Sequence, residues 1–157
     1  MKKIVFSAIT LVIGFLAGVI IVWNYLDKII EKVQNLSDKH LKLFKIMDMW
    51  LTNYQEDKRI DQYLQDKGIN KIAIYGMGIA GMTLYRELKN SKVDVCYGID
   101  QSDKIIDGIN VLRLDDQLPE VDAVVVTPVT GFSDISINLE KKMKCGIMSL
   151  EEIMLDM

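Results

Sequence analysis

Histidine, cysteine and proline are scarce in this chain of 157 residues: it has one histidine, His40, two cysteines, Cys96 and Cys145, and two prolines, Pro119 and Pro128. A zinc site of the usual kind needs a cluster of His and Cys ligands. Two cysteines, each inside an apolar run and far from the one histidine, do not supply it. They read as small buried hydrophobes in a reducing compartment. Basic excess is also lacking. Residues 1–69 hold ten Lys/Arg against eight Asp/Glu, and residues 70–157 hold nine against fourteen. An acidic C-terminal part without a basic stripe argues against nucleic acid as a partner. Residues 70–157 contain no histidine and no G-x-S-x-G turn, so the usual nucleophile and base of a hydrolase are missing. The paired acids Asp115–Asp116 and Glu151–Glu152 read as solvated loop and helix charges.

What is present is unevenly distributed. Residues 4–23 form a run of twenty without a charge, including Gly14 and Gly18. At 1.5 Å per residue a helix of this length crosses a hydrocarbon core of about 30 Å. Trp23 and Tyr25 then fall at the interface. Lys2 and Lys3 also suit the start of a signal peptide, but the apolar run is longer than a usual signal core and no small-x-small site ends it. The expectation is a retained single-pass anchor over residues 1–25. Lys28, Lys32, Lys39 and Lys42 follow the span, which leans toward a cytoplasmic C-terminal part in the cell membrane.

Residues 26–68 read as a helical linker. Ile29, Leu36, Leu43 and Trp50 take one position of a heptad, and Leu26, Val33, His40, Met47 and Tyr54 take the other. Such spacing suits a coiled coil, and hence a homodimer through residues 26–54. Ile30, Phe44 and Leu51 widen the stripe, and a broad stripe buries against more than one neighbour. The alternative is an amphipathic helix folded back on its own domain. His40 reads as a tolerated polar seam position, with a pH-sensitive register as the sharper alternative. The pattern turns polar over 55–58, and a shorter helix then ends at Gly68, a natural left-handed cap.

Residues 69–157 carry the chemistry. An apolar run at 72–75 meets Gly76, Gly78 and Gly81 at G-x-G-x-x-G spacing, with Met77, Ile79 and Ala80 between them. A helical pattern follows over 79–89, then a second apolar run over 93–99 that ends in Asp100. This is the order of a dinucleotide-binding βαβ unit. Further strands are expected at 123–127 and 147–149, with an extended connector at 108–114. Helices are expected at 133–144, capped by Ser133 or Asp134, and at 150–155, capped by Ser149 with Glu152 in the capping-box position. The fold class is α/β, a small Rossmann-like parallel sheet of four to five strands behind a transmembrane helix and an amphipathic or coiled-coil helix. Gly76 would allow the tight turn, Gly78 the close approach of a pyrophosphate, and Gly81 close packing of the helix. The helix N-terminus would hold the phosphates. Asp100 would accept the ribose hydroxyls and so prefer NAD over NADP, and Thr127 would line the crevice. A nucleotide-sugar is the other occupant considered. The bland alternative is that the glycines serve only a tight turn and Asp100 only a strand end.

Trp50-Leu51, Ile60-x-x-Tyr63-Leu64, IAIYGMGIAG at 72–81, LYRELKNSKVDVCYGID at 84–100, LPEVDAVVVTPV at 118–129 and MSLEEI at 148–153 together resemble small Rossmann-like proteins of Firmicutes. These are identified as nucleoside-diphosphate-sugar epimerase-like and occur beside surface-polysaccharide enzymes. The resemblance covers residues 41–155 and implies polysaccharide-synthesis enzymes as partners. The glycine turn and acid also look, more distantly, like the nucleotide-binding domains of potassium-transport regulators and of sugar acetyltransferases. Sugar epimerases are longer chains, and here the stretch after the first βαβ unit is too short for a second nucleotide half or a substrate domain. The expectation is therefore a non-catalytic binding module. Its alternatives are a degenerate oxidoreductase or epimerase subunit completed by a partner, and a scaffold without a ligand.

Overall fold

The computed structural model describes the backbone of residues 2–102 and 105–157, and the side chains of 14–16, 18–102 and 105–157. The chain forms two compact units, Met1–Leu41 and Lys42–Met157.

The first unit consists of the greater part of α1, Lys2–Gln55. Neither proline lies within this helix, so nothing removes a backbone donor along it. Leu26, Ile29, Ile30, Val33 and Leu36 are exposed by between 41% and 59%. The run 4–23, expected to be an anchor, falls largely on side chains outside the described residues. Among the described residues, no helix is long and apolar enough to cross a membrane.

The second unit is built on a five-stranded sheet of order β3-β2-β1-β4-β5. Its strands are β1, Lys71–Tyr75, β2, Asp94–Ile99, β3, Val111–Leu112, β4, Ala123–Val126, and β5, Gly146–Ser149. Every pairing is parallel. Parallel strands need crossovers, which cover both faces and make the central strands apolar throughout. Ile72 and Ile74 point to one face and Ala73 and Tyr75 to the other. The first face is packed by the end of α1, by α2, Ile60–Asp66, by α3, Ile79–Leu88, and by α5, Leu150–Asp156. The second is packed by α4, Phe132–Glu140, through Leu139, with Met143 just beyond it. This arrangement is consistent with a Rossmann-like fold.

The last turns of α1 belong to this unit. Ile46 and Trp50 are buried in its core, and Asn53 is 8% exposed. Asn53 Nδ2 donates to the Met154 carbonyl at 3.0 Å, and the Trp50 indole N–H donates to Glu87. The folded-back alternative thus describes residues 43–53, whereas 26–41 remain uncovered. The compact unit accordingly starts at Lys42 and takes in more chain than residues 69–157.

The ends of the elements have local causes. Gly68 stands at φ +76° after α2, its N–H bonds Gln65 O at 2.8 Å, and Ile69 N–H bonds Leu64 O at 2.9 Å, which makes a Schellman cap. Ser149 and Glu152 form the capping box expected for α5. The expected 133–144 helix is instead Phe132–Glu140 and has no side-chain cap. Gly131, in the left-handed region at φ +78°, turns the chain into the helix earlier than Ser133 would. At the other end of the sheet, Asp122 accepts from the N–H groups of Asn70 (2.9 Å) and Lys71 (2.8 Å). Those two donors hold its carboxyl below its ordinary value.

Two outcomes follow for stability. Trp50→Ala should cost about 3 kcal/mol in urea unfolding of the second unit, which a mere linker residue would not. Asp122→Ala should lower the melting temperature at neutral pH. Because the folded carboxyl titrates below the unfolded one, this deficit is present above about pH 4 and closes as pH falls through the lowered folded value. Melting curves of both proteins between pH 7 and pH 2 would check it.

Candidate functional site

From β1 the chain moves outward to β2 and β3, then returns across β1 to β4 and β5. The direction of winding therefore changes between β1 and β4. In open parallel sheets ligands bind at that switch point, beyond the carboxyl ends of the strands. The loops that meet there follow Tyr75 and Val126.

The three glycines of the first loop have different reasons to be glycine. Gly76 stands at φ +88°, and a Cβ there would lie 2.8 Å from Pro128 Cδ and 3.1 Å from Thr127 Oγ1. At Gly81 a Cβ would lie 2.1 Å from the Gly76 carbonyl oxygen, far inside van der Waals contact. Both are demanded by the chain itself. Gly78 is not: its backbone is extended, at φ −82° and ψ −156°, and a Cβ would meet nothing within 4 Å. Gly78 and Ile79 are exposed, whereas Ala80 and Gly81 are buried. The first intrahelical bond of α3 runs from Met82 N–H to Gly78 O at 2.9 Å. Amides before it have no helical acceptor. No side chain caps this end and its first turn holds no acid, so the positive end of the helix is not neutralised from within.

Asp100 lies beside the loop as expected, but engaged with protein donors. Its Oδ2 accepts from Met77 N–H at 2.8 Å, and its Oδ1 accepts from Ser102 N–H at 2.9 Å and Ser102 Oγ at 2.6 Å. The carboxylate that was expected to meet a ribose thus first holds the glycine loop to the end of β2. Thr127 is 4% exposed. Its hydroxyl donates to the Gly76 carbonyl at 2.6 Å, so it sits under the loop rather than lining the crevice. Met77 contributes backbone only, because its side chain is 1% exposed and turned toward β2. There a Cβ on Gly98 would be 2.8 Å from Met77 Sδ.

Gly98, Ser102 and Pro128 were missing from the expected set. A glycine inside a strand is the usual sign of a close approach, and Gly98 carries that sign. Ser102 and Pro128 carry no signal before the loops are placed together.

Reactive groups lie elsewhere. Cys96 and Cys145 are half-buried, and burial pushes both thiols above their ordinary value, so neither is a thiolate nucleophile near neutral pH. Among the described residues no group of three or more His, Cys, Asp and Glu could hold a metal ion. A cavity of 470 Å³ lies at the opposite, amino-terminal edge of the sheet, between the segments Leu118–Val121 and Lys142–Cys145. It shares no residue with the glycine loop. Comparison with protein-family models, curated proteins and solved structures finds no match to this chain.

The contrast between the glycines is measurable. Gly81→Ala should destabilise the fold by about 3 kcal/mol, the upper range for overpacking, as read by urea unfolding. A change below 1 kcal/mol would mean that α3 can move off the Gly76 carbonyl at little cost.

Proposed function

We propose that this chain is a membrane-tethered, non-catalytic module that holds a diphosphate-bearing nucleotide, NAD or a nucleotide-sugar, over the turn between β1 and α3. The observation that carries this reading is Gly78. The fold demands glycine at 76 and 81 but not at 78, where the absent side chain leaves open space beside the uncapped N-terminus of α3. A pyrophosphate needs both that space and those amides. Gly76, Met77, Gly78, Ile79, Ala80 and Gly81 form the cradle in this reading. Asp100 and Thr127 hold it in shape. The charge-free run 4–23 serves as the anchor at the cell membrane, with the nucleotide-binding unit on the cytoplasmic side. The likeness to epimerase-like proteins found beside polysaccharide enzymes favours such enzymes as partners.

A specific observation favours a second reading, a scaffold without a ligand: both oxygens of Asp100 already accept from the protein. Calorimetric titration of the full chain in detergent, with NAD, NADP and a uridine diphosphate sugar, separates the two. Heat with at least one of these supports the module, and no heat with any at millimolar concentration leaves the scaffold. Gly78→Val should abolish that binding while changing stability by less than about 1 kcal/mol, the scale of a lost cap preference. Binding that survives the substitution would put the phosphates elsewhere, and turnover by the purified chain would overturn the non-catalytic reading.

A further inference from the structure

Helix α1 carries more apolar residues than its own domain uses. Within the second unit the docked positions are Ile46, Trp50 and Asn53, with Leu43, Met47 and Met49 partly buried against the same core. Phe44 and Leu51 belong to the same turns yet are 68% and 56% exposed. On a helix advancing 100° per residue they lie roughly 140° around from Ile46, Trp50 and Asn53. They are also not scattered. Leu26, Ile30, Val33, His40, Phe44 and Leu51 fall on one 4-3 repeat, completed by Ser37 and by Met47, which borders the docked side and is partly buried there. This repeat is a heptad seam that runs through some four heptads. Leu26, Ile30 and Val33 are 47%, 51% and 59% exposed.

We propose that this second face of α1 binds a second copy of the chain, side by side, parallel and in register. Three observations favour a copy over other occupants. A 4-3 repeat of this length is what an identical helix satisfies, since each seam residue meets its own counterpart. No seam position from Leu26 to Leu51 carries a formal charge, because Lys28, Lys32, Lys39, Lys42 and Lys45 occupy other positions. The flanking charges are of mixed sign, with Asp27, Glu31, Asp38 and Asp48 among those lysines, so the polar side lacks the basic excess that an anionic lipid surface selects. Leu26, Ile30, Val33, Phe44 and Leu51, each at least 47% exposed, are the apolar side chains that pairing would remove from water. Ser37 and His40 form a polar layer near the middle of the seam. A polar layer sets register at some cost in stability, and in register each meets its own copy. The pairing is independent of any ligand at the glycine loop.

Cysteine scanning of the full chain in detergent tests it. Ile30→Cys, Val33→Cys, Phe44→Cys and Leu51→Cys should each form disulfide-linked dimers about tenfold faster than Glu31→Cys, Asp38→Cys, Lys45→Cys and Thr52→Cys. The unsubstituted chain, whose two cysteines are half-buried, serves as the blank. Light scattering should give a dimer, and Val33→Asp with Phe44→Asp should convert it to a monomer without moving the melting temperature of the second unit. Equal cross-linking at both sets, cross-links at a single position only, or a monomeric unsubstituted chain would each overturn the proposal.

Discussion

The approach of α3 to the end of β1 sets the rest of the site. At Gly81 the helix comes so close to the Gly76 carbonyl that a single carbon would stand 2.1 Å from the oxygen. The same carbonyl accepts the Thr127 hydroxyl at 2.6 Å. One oxygen atom therefore joins the first strand, the first crossover helix and the strand on the far side of the switch point. A contact this tight cannot shift gradually, because close-packed interiors transmit strain instead of absorbing it. It holds the turn in one shape and leaves Gly78 and Ile79 at the surface.

Asp100 completes the arrangement from the other side. Its bond to Met77 N–H ties the loop to β2, while Met77 itself fills the space over Gly98. An acid at the end of the second strand thus has a structural duty whether or not a sugar is present. An acid at this position would serve the fold or a ligand alike, and a motif in the sequence does not separate the two. The difference appears only residue by residue: Gly76, Gly81, Asp100 and Thr127 are each required by a neighbour in the chain, whereas a side chain at Gly78 would meet nothing within 4 Å.

The end of α1 is joined to the same face of the sheet that bears α3. Trp50 donates to Glu87 on α3, and Asn53 donates to a carbonyl of α5. A buried side-chain amide with a satisfied donor fixes position more narrowly than apolar contact, since losing its partner leaves a desolvated polar group. This is why the last turns of α1 count as part of the domain, although their composition resembles that of the exposed turns before them.

Local chemistry sufficed for much of this. The apolar run into G-x-G-x-x-G at 72–81, the alternation of strands and helices, the break after Gln55, the Gly68 cap and the Ser149–Glu152 box all depend on neighbours a few residues apart, and all were legible. The width of the stripe on α1 already implied two faces. Which residues face the domain was not legible, because a 3.6-residue period marks apolar positions without saying what covers each. The start of α4 was misplaced because Gly131 can adopt a left-handed turn that Ser133 cannot compete with locally. Thr127 looked like a crevice residue because its strand-end position is visible, whereas the Gly76 carbonyl that captures it lies 51 residues away. The sequence by itself determined the βαβ order and the places where only glycine or a cap would serve, since those are short-range steric and hydrogen-bond constraints. Only the tertiary structure decided which glycine serves the fold and which is left open, because that depends on how closely α3 approaches the Gly76 carbonyl and on Thr127 and Pro128, brought in from the end of β4.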